Sequence, residues 1–308
     1  MVAKLNLPAF DSLEVVKNVI SERVHYKDFY KTLEDDWKRI ILSYIENSAD
    51  PQFVKPLNLI TYLSQESVNT EAKVPAKKNE SDDPKIRLAT KRKKSLIGLY
   101  KPSEDKQPYT ILEKLRRGHG LLFCPSCGEA GKPGTLDHYL PKSDYPELAV
   151  VIANLTPMCS ECQGRKGTDF QNAAGEKLFL HPYFDTIDAP LVDLSICPPY
   201  EAPSKFHINV NTQLKEPLKS LVQRHIDGID FIERFEEYCQ LEYINLLSLI
   251  NDERDEEVAE NSARIIGRFM RKAVKQSVNC WEATFYRGIS ENAALLDYLD
   301  NGQLPEYL

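Results

Sequence analysis

Two Cys-x-x-Cys pairs, at 124/127 and 159/162, constrain this 308-residue chain more than any other feature. Each pair can present two thiolates to one tetrahedral cation, which draws together two points separated by 31 residues. Gly128, directly after the first pair, suits the tight turn such a hook needs. Seven cysteines in a chain of this size do not read as a secreted disulfide framework. Cys124, Cys127, Cys159 and Cys162 are therefore expected to hold a structural Zn²⁺ in a reducing compartment. Cys197, Cys239 and Cys280 read as small apolar residues. A closed four-thiolate site does no chemistry of its own, so working residues are sought between and just after the hooks.

Composition excludes little. Apolar and charged fractions of 42% and 28% are those of an ordinary globular protein. The chain shows no signal peptide and no apolar run near the ~18–20 residues a membrane helix needs, so a cytoplasmic location is expected. The net charge of −7 falls wholly on residues 201–308, because residues 1–200 balance. Local basic clusters at Lys91–Lys94 and at Lys114, Arg116 and Arg117 leave room for a nucleic-acid groove.

The periodicity predicts helix over 11–46, opened by Asp11 and Glu14 at capping-box spacing, with Leu33, Trp37, Ile40, Ile41, Tyr44 and Ile45 on one face. Residues 64–94 turn polar and read as an exposed linker or mobile arm. A short helix is expected at 108–117, hairpin and loop over 118–170, and a strand at 205–210. Long helices follow, with a break near Gly228, one from 255 to 285 and a last one near 291–300. The layout is 1–64 helical, 65–94 linker, 95–185 metal-bearing core and 186–308 helical. The fold class is a mostly α, α+β protein.

Between the hooks lies "TLDHYLPK" (135–142), followed by Asn154-Leu155 and, after the second pair, by Gln163, Arg165 and Lys166. This order resembles the zinc-containing HNH endonucleases over residues 120–170. The resemblance implies a ββα-metal core, with His138 as general base and Asp137 as ligand of a catalytic Mg²⁺ or Mn²⁺. Asn154 would brace the hairpin and orient the histidine, and Gln163 would stand at the second ligand position, usually His or Asn. Arg165 and Lys166 would start the following helix and, with Lys142, hold the nucleic-acid backbone. The residue types suit that chemistry: a neutral imidazole can take a proton from water at cellular pH, and a hard cation can offset charge on phosphate.

"DHYLPKSDYPELAV" and "LFLHPYFD" extend the similarity to bacterial HNH proteins that include the nuclease subunit of Septu anti-phage systems and retron-associated relatives. That resemblance implies DNA cleavage in defence beside an ATPase partner, with His181 as a residue supporting the metal ligands from behind, a phosphate-contacting residue or a packed loop histidine. Two other classes stay open: a non-catalytic zinc module binding nucleic acid or a partner, and an RNA-cutting effector using the same site. Arg264, Arg268, Arg271 and Lys275 fall on one helix face, either solvated or a strip for DNA or an acidic partner, which the preceding "NDERDEEVAE" could oppose.

Overall fold

The computed structural model describes residues 3–203, 205–256 and 260–305. Helices dominate, with two small two-stranded antiparallel sheets, giving a mostly helical α+β protein. The N-terminal part contains α1 (Ser12–Ser21), capped by Asp11 through a 2.8 Å bond from the Leu13 N–H, and α2 (Lys27–Glu46). The expected single helix is interrupted at Tyr26, which takes a left-handed conformation. Helix α2 buries Phe29, Leu33, Trp37, Ile40, Ile41 and Tyr44, as its periodicity requires.

The polar stretch is exposed over most of its length, but part of it is helical: α3 (Gln65–Ala72) and the first part of α4 (Pro84–Gly98) fall within it. Its charges neutralise one another: buried Arg87 contacts Glu71 and donates to the carbonyls of Ser81, Asp82, Glu71 and Val74, while Lys91 closes on the same carboxylate. A fully bonded guanidinium thus organises a segment that has few apolar residues to fold it.

Helix α5 (Tyr109–Arg117) precedes the cysteine region. There β1 (Thr135–His138) pairs with β2 (Leu155–Met158), setting Asp137 opposite Thr156 and His138 opposite Leu155, and α6 (Ser160–Lys166) follows directly. Downstream, β3 (Val192–Ile196), which the sequence reading missed, pairs with the expected strand β4 (Phe206–Val210). Helix α7 (Leu218–Gly228) breaks where expected, before α8 (Phe231–Arg254). The predicted 255–285 helix is two, α9 (Ser262–Val274) and α10 (Trp281–Ser290), and α11 (Ala293–Asn301) closes the fold. On α9, Arg264 and Arg268 both pair with Glu260, so half of the basic strip is answered from within; residues 257–259 of the acidic stretch lie outside the described residues.

The main apolar core reaches from Val15 to Leu299 and draws on every helix and strand named above except α3. Trp37 of α2 donates to the Glu147 carbonyl at 2.5 Å, and Tyr145 donates to the Val54 carbonyl at 3.1 Å. The loop between β1 and β2 is thereby moored to the N-terminal helices. Of the lone cysteines, Cys239 and Cys280 are buried as expected, whereas Cys197 is exposed. No helix among the described residues is long and apolar enough to cross a membrane.

Candidate active site and metal centre

The four cysteine sulfurs lie within 4.8 Å of one another, and Cys127 and Cys159 Sγ are 3.9 Å apart. Tetrahedral Zn–S bonds of ~2.3 Å place sulfurs about 3.8 Å apart, so this set could hold a zinc ion. Gly128 takes φ 84° and its N–H returns to the Cys124 carbonyl at 2.8 Å, forming the first hook. The second hook is the start of α6, where the Cys162 N–H points to Cys159 Sγ at 3.4 Å and the Cys159 N–H to Cys124 Sγ at 3.3 Å. These donors, with Arg234 Nη1 at 3.4 Å from Cys162 Sγ, offset the charge of four thiolates. Arg234 also pairs with Glu129 and lies over the Trp281 ring. Trp281 in turn donates from Nε1 to the Cys127 carbonyl at 2.8 Å, so the C-terminal helices close over the cluster. Nothing in the sequence pattern marks Arg234 for this place.

His225 of α7 supports the same hook. Its Nε2–H donates to the Ser126 carbonyl at 2.9 Å and its Nδ1 accepts from the Leu180 N–H at 3.1 Å, which fixes a neutral ring. Burial pushes its pKa down to about 4 and also lowers that of His181. For such depressed groups the stability is complete above the unfolded value of ~6.5 and is lost as pH falls towards the folded one, at up to ~1.4 kcal/mol per pH unit for each. Urea midpoints are expected to decline between pH 6.5 and 4, with a shallower slope in His225→Gln; equal slopes in the two proteins would refute this account.

Asp137 and His138 occupy the end of β1 and line one cavity of about 590 Å³. Successive strand residues alternate faces, yet His138 is the last of its strand, where the chain turns into the loop. Its Nε2–H donates to the Ala149 carbonyl at 2.9 Å, and Nδ1 makes no hydrogen bond to the described residues. The Tyr100 ring meets the imidazole edge-on, with centroids 4.4 Å apart. Burial, then the charge of Lys142, pushes the His138 pKa down to about 3, keeping the ring neutral and able to accept a proton.

Asn154 is fully buried and clasps the loop from within. It accepts from the Leu140 N–H at 2.8 Å and donates to the carbonyls of Leu140 and Leu148, the latter adjoining Ala149. Its Oδ1 also accepts from the Tyr44 hydroxyl at 3.0 Å. His181 Nδ1 accepts from the Tyr183 N–H, so its Nε2–H donates to Tyr44 Oη at 3.0 Å. A directed chain His181, Tyr44, Asn154 thus ends on the loop that orients His138. His181 itself is buried and does not line the cavity. Tyr44→Phe is expected to cost about 1–3 kcal/mol, because two buried partners lose a bond, measured as a shift in denaturation midpoint.

Other expected residues fall differently. Lys166 is 1% exposed and lies in the last turn of α6, not at a helix start; its Nζ is 3.1 Å from Asp137 Oδ2 and 2.9 Å from the His138 carbonyl. It cannot reach a nucleic-acid backbone from there, and its charge instead neutralises Asp137. Asp137 Oδ2 has no directed hydrogen bond, so this contact is ionic. Burial raises the Asp137 pKa, and Lys166 and then Lys142 oppose the shift. Arg165 also ends α6, is half exposed and pairs with Asp230 at 2.7 Å, outside the cavity lining. Lys142 and Gln163 do line it, and Gln163 Nε2 is 3.4 Å from the Leu136 carbonyl, while Oε1 has no partner among the described residues.

The carboxylate of Asp137, beside Lys166, and the amide oxygen of Gln163 are hard donors of the kind Mg²⁺ accepts with water. Arg116 lines the same cavity, as does Tyr100, which donates to the Leu136 carbonyl at 2.9 Å. Arg116 belonged to a visible basic cluster, whereas Tyr100 carried no signal.

No protein-family model and no solved structure matches the chain. Among curated proteins, it is 41% identical over 63 residues to protein ea31 of Escherichia phage lambda, covering 20% of this chain and 21% of that one. It is 33% identical over 82 residues to Septu protein PtuB of Bacillus thuringiensis, covering 26% of this chain and 31% of that protein. The chain therefore spans less than a third of the length of either relative.

Proposed function

We propose that this protein is an HNH-type, metal-dependent endonuclease that hydrolyses DNA in bacterial anti-phage defence, working beside an ATPase partner. The observation that carries the reading is the set of His138: a neutral, buried imidazole with one nitrogen fixed on Ala149 and the other without a partner among the described residues, beside Asp137 in an open cavity. A ββα unit formed by β1, β2 and α6, clamped by four cysteines, supports it. Similarity to Septu protein PtuB supports the defence role.

In this reading His138 Nδ1 takes a proton from water as the water oxygen bonds to phosphorus and the P–O3′ bond breaks; the leaving O3′ takes up a proton from solvent water, giving 5′-phosphate and 3′-hydroxyl ends. A divalent cation held by Asp137 and Gln163 would stabilise charge on the phosphate and leaving oxygen. Lys142 and Arg116 balance the phosphate charge from the cavity wall, Lys166 sits against the Asp137 carboxylate and opposes the effect of its burial, and Asn154 keeps the loop in register. Plasmid and end-labelled RNA incubated with Mg²⁺ or Mn²⁺ and the partner test the activity: metal-dependent nicking or linearisation of the plasmid is expected. Degradation of the RNA alone would redirect the reading to an RNA-cutting effector.

The ammonium already seated beside Asp137 favours a second reading, a non-catalytic zinc module. Metal titration separates the two. Wild type is expected to bind one divalent ion beyond zinc and Asp137→Ala to lose it; a zinc site alone in both proteins selects the module.

A further inference from the structure

Helix α4 carries six cations and no acid over Pro84–Gly98. Three of them are spent inside the fold: Arg87 and Lys91 share the Glu71 carboxylate, and Arg92 is buried against the Tyr26 ring. Lys85 adjoins Asp83, which caps the helix. Lys93 and Lys94, and Lys101 just beyond the helix, form no ion pair among the described residues. The chain keeps turning as far as Lys101, whose N–H donates to the Gly98 carbonyl at 3.0 Å. Lys94 and Lys101 are both exposed and stand seven residues apart, two helical turns along one side. The same spacing sets the half-buried Lys93 in line with Tyr100.

This row runs to the edge of the Asp137–His138 cavity. Helix α4 packs against the single turn Pro146–Leu148 of the β1–β2 loop, and Tyr100 lines the cavity with Lys142 and Arg116. Lys142 Nζ lies 5.1 Å from the centroid of the Tyr100 ring, and Lys101 is close enough to Lys142 for the two charges to repel. Lys93 is likewise near enough to the loop for its charge to act on the buried carboxyl of Glu147. The acids that follow Lys101 are engaged: Glu104 accepts from Tyr109, and Asp105 accepts from Ser103 and faces Lys106. Unanswered cations crowded beside a cavity repel one another, and a polyanion relieves that repulsion while releasing its own counterions. The cations that the motif itself offers for this task are taken, Arg165 by Asp230 and Lys166 by Asp137.

Resting on the nuclease reading of that cavity, we infer that Lys93, Lys94 and Lys101 form a track that holds the backbone of duplex DNA flanking the scissile phosphate. Seven residues of helical rise set Lys94 and Lys101 about 10 Å apart along the axis, a length over which one strand of a duplex presents about three phosphates. No aromatic side chain lies between Lys85 and Leu99, so a single strand would find no platform there for its bases. The grip is on charge and carries no base readout.

The test is fluorescence anisotropy of the full chain with a short labelled duplex, and with one of its strands alone, at several KCl concentrations. No divalent cation is added, so binding is read apart from cleavage. Lys93→Gln/Lys94→Gln/Lys101→Gln should weaken duplex binding at least tenfold at low salt and reduce the slope of log Kd against log salt by about 2–3. Arg271→Gln/Lys272→Gln/Lys275→Gln removes the same charge from exposed positions on α9 and should change neither quantity. Should the triple α4 variant fail to fold by circular dichroism, Lys94→Gln/Lys101→Gln, at exposed positions, takes its place with a slope change of about 1–2. Wild-type affinity and slope in the folded α4 variant overturn the inference. So does an equal loss in the α9 variant, tighter binding of the single strand than of the duplex, or no duplex binding by the wild type. Plasmid cleavage with metal and partner, run in parallel, separates the two readings. A wild type that binds through α4 but cuts nothing keeps the track and removes the nuclease, while full cleavage and binding by the α4 variant do the reverse.

Discussion

Cys162→Ser is expected to lose its zinc and several kcal/mol of stability together. Structural zinc contributes on the order of 10 kcal/mol of apparent binding free energy in small domains, and binding energy of this kind is folding energy. Cys162 is fully buried, and the hooks that would open are contacted from both ends of the chain: the Ala3 N–H bonds to the Pro125 carbonyl at 2.9 Å and the Trp281 N–H to the Gly128 carbonyl at 3.0 Å. Serine keeps the size but offers a poor ligand, and Arg234 would then face an incomplete anionic cluster. Atomic absorption and a thermal melt measure the two effects, and a strong chelator should reproduce them in the wild type. Cys239→Ala is the control, a buried thiol outside the cluster, and should cost only ~1–2 kcal/mol with full zinc content. A Cys162→Ser protein with one equivalent of zinc and an unchanged melt would remove the metal from this site.

The second large effect falls on His138. Loss of a general base reduces turnover by about 10²–10⁴-fold, and His138→Ala should show that loss in plasmid cleavage with the metal and partner present. Stability should move much less, by about 1–3 kcal/mol, because the Ala149 carbonyl loses its donor inside the protein. The separation of the two readouts is the point of the measurement. Since burial holds the imidazole neutral down to about pH 3, wild-type activity should also lack an acid limb near pH 6.5 arising from this residue. Equal cleavage by mutant and wild type would end the catalytic assignment.

What the sequence disclosed and what it hid divide on physical lines. The cysteine hooks were legible because metal geometry imposes a spacing that local sequence must carry. Helix α2 and strand β4 were legible through apolar periodicity. The segment at 65–94 misled because charged residues are ordinarily solvated, and only the three-dimensional meeting of Arg87 with Glu71 makes them structural. Lys166 misled for the same reason. Ala149 acts through its carbonyl, which every residue possesses, so no residue type could announce it. Tyr44 was visible only as an apolar helix position, although its hydroxyl is what connects α2 to Asn154.

That hydroxyl sets a lower bound on how small a working unit can be. The side chains that hold the His138 loop in place begin at Trp37 on α2 and end at His181, well past the second cysteine pair. This span is longer than either stretch shared with the curated relatives. A transplant limited to the hairpin and its cysteines would carry the reactive side chains but leave behind the hydrogen bonds that aim them. Grafts and truncations should therefore be cut outside residues 37–181 if the loop is to keep its shape.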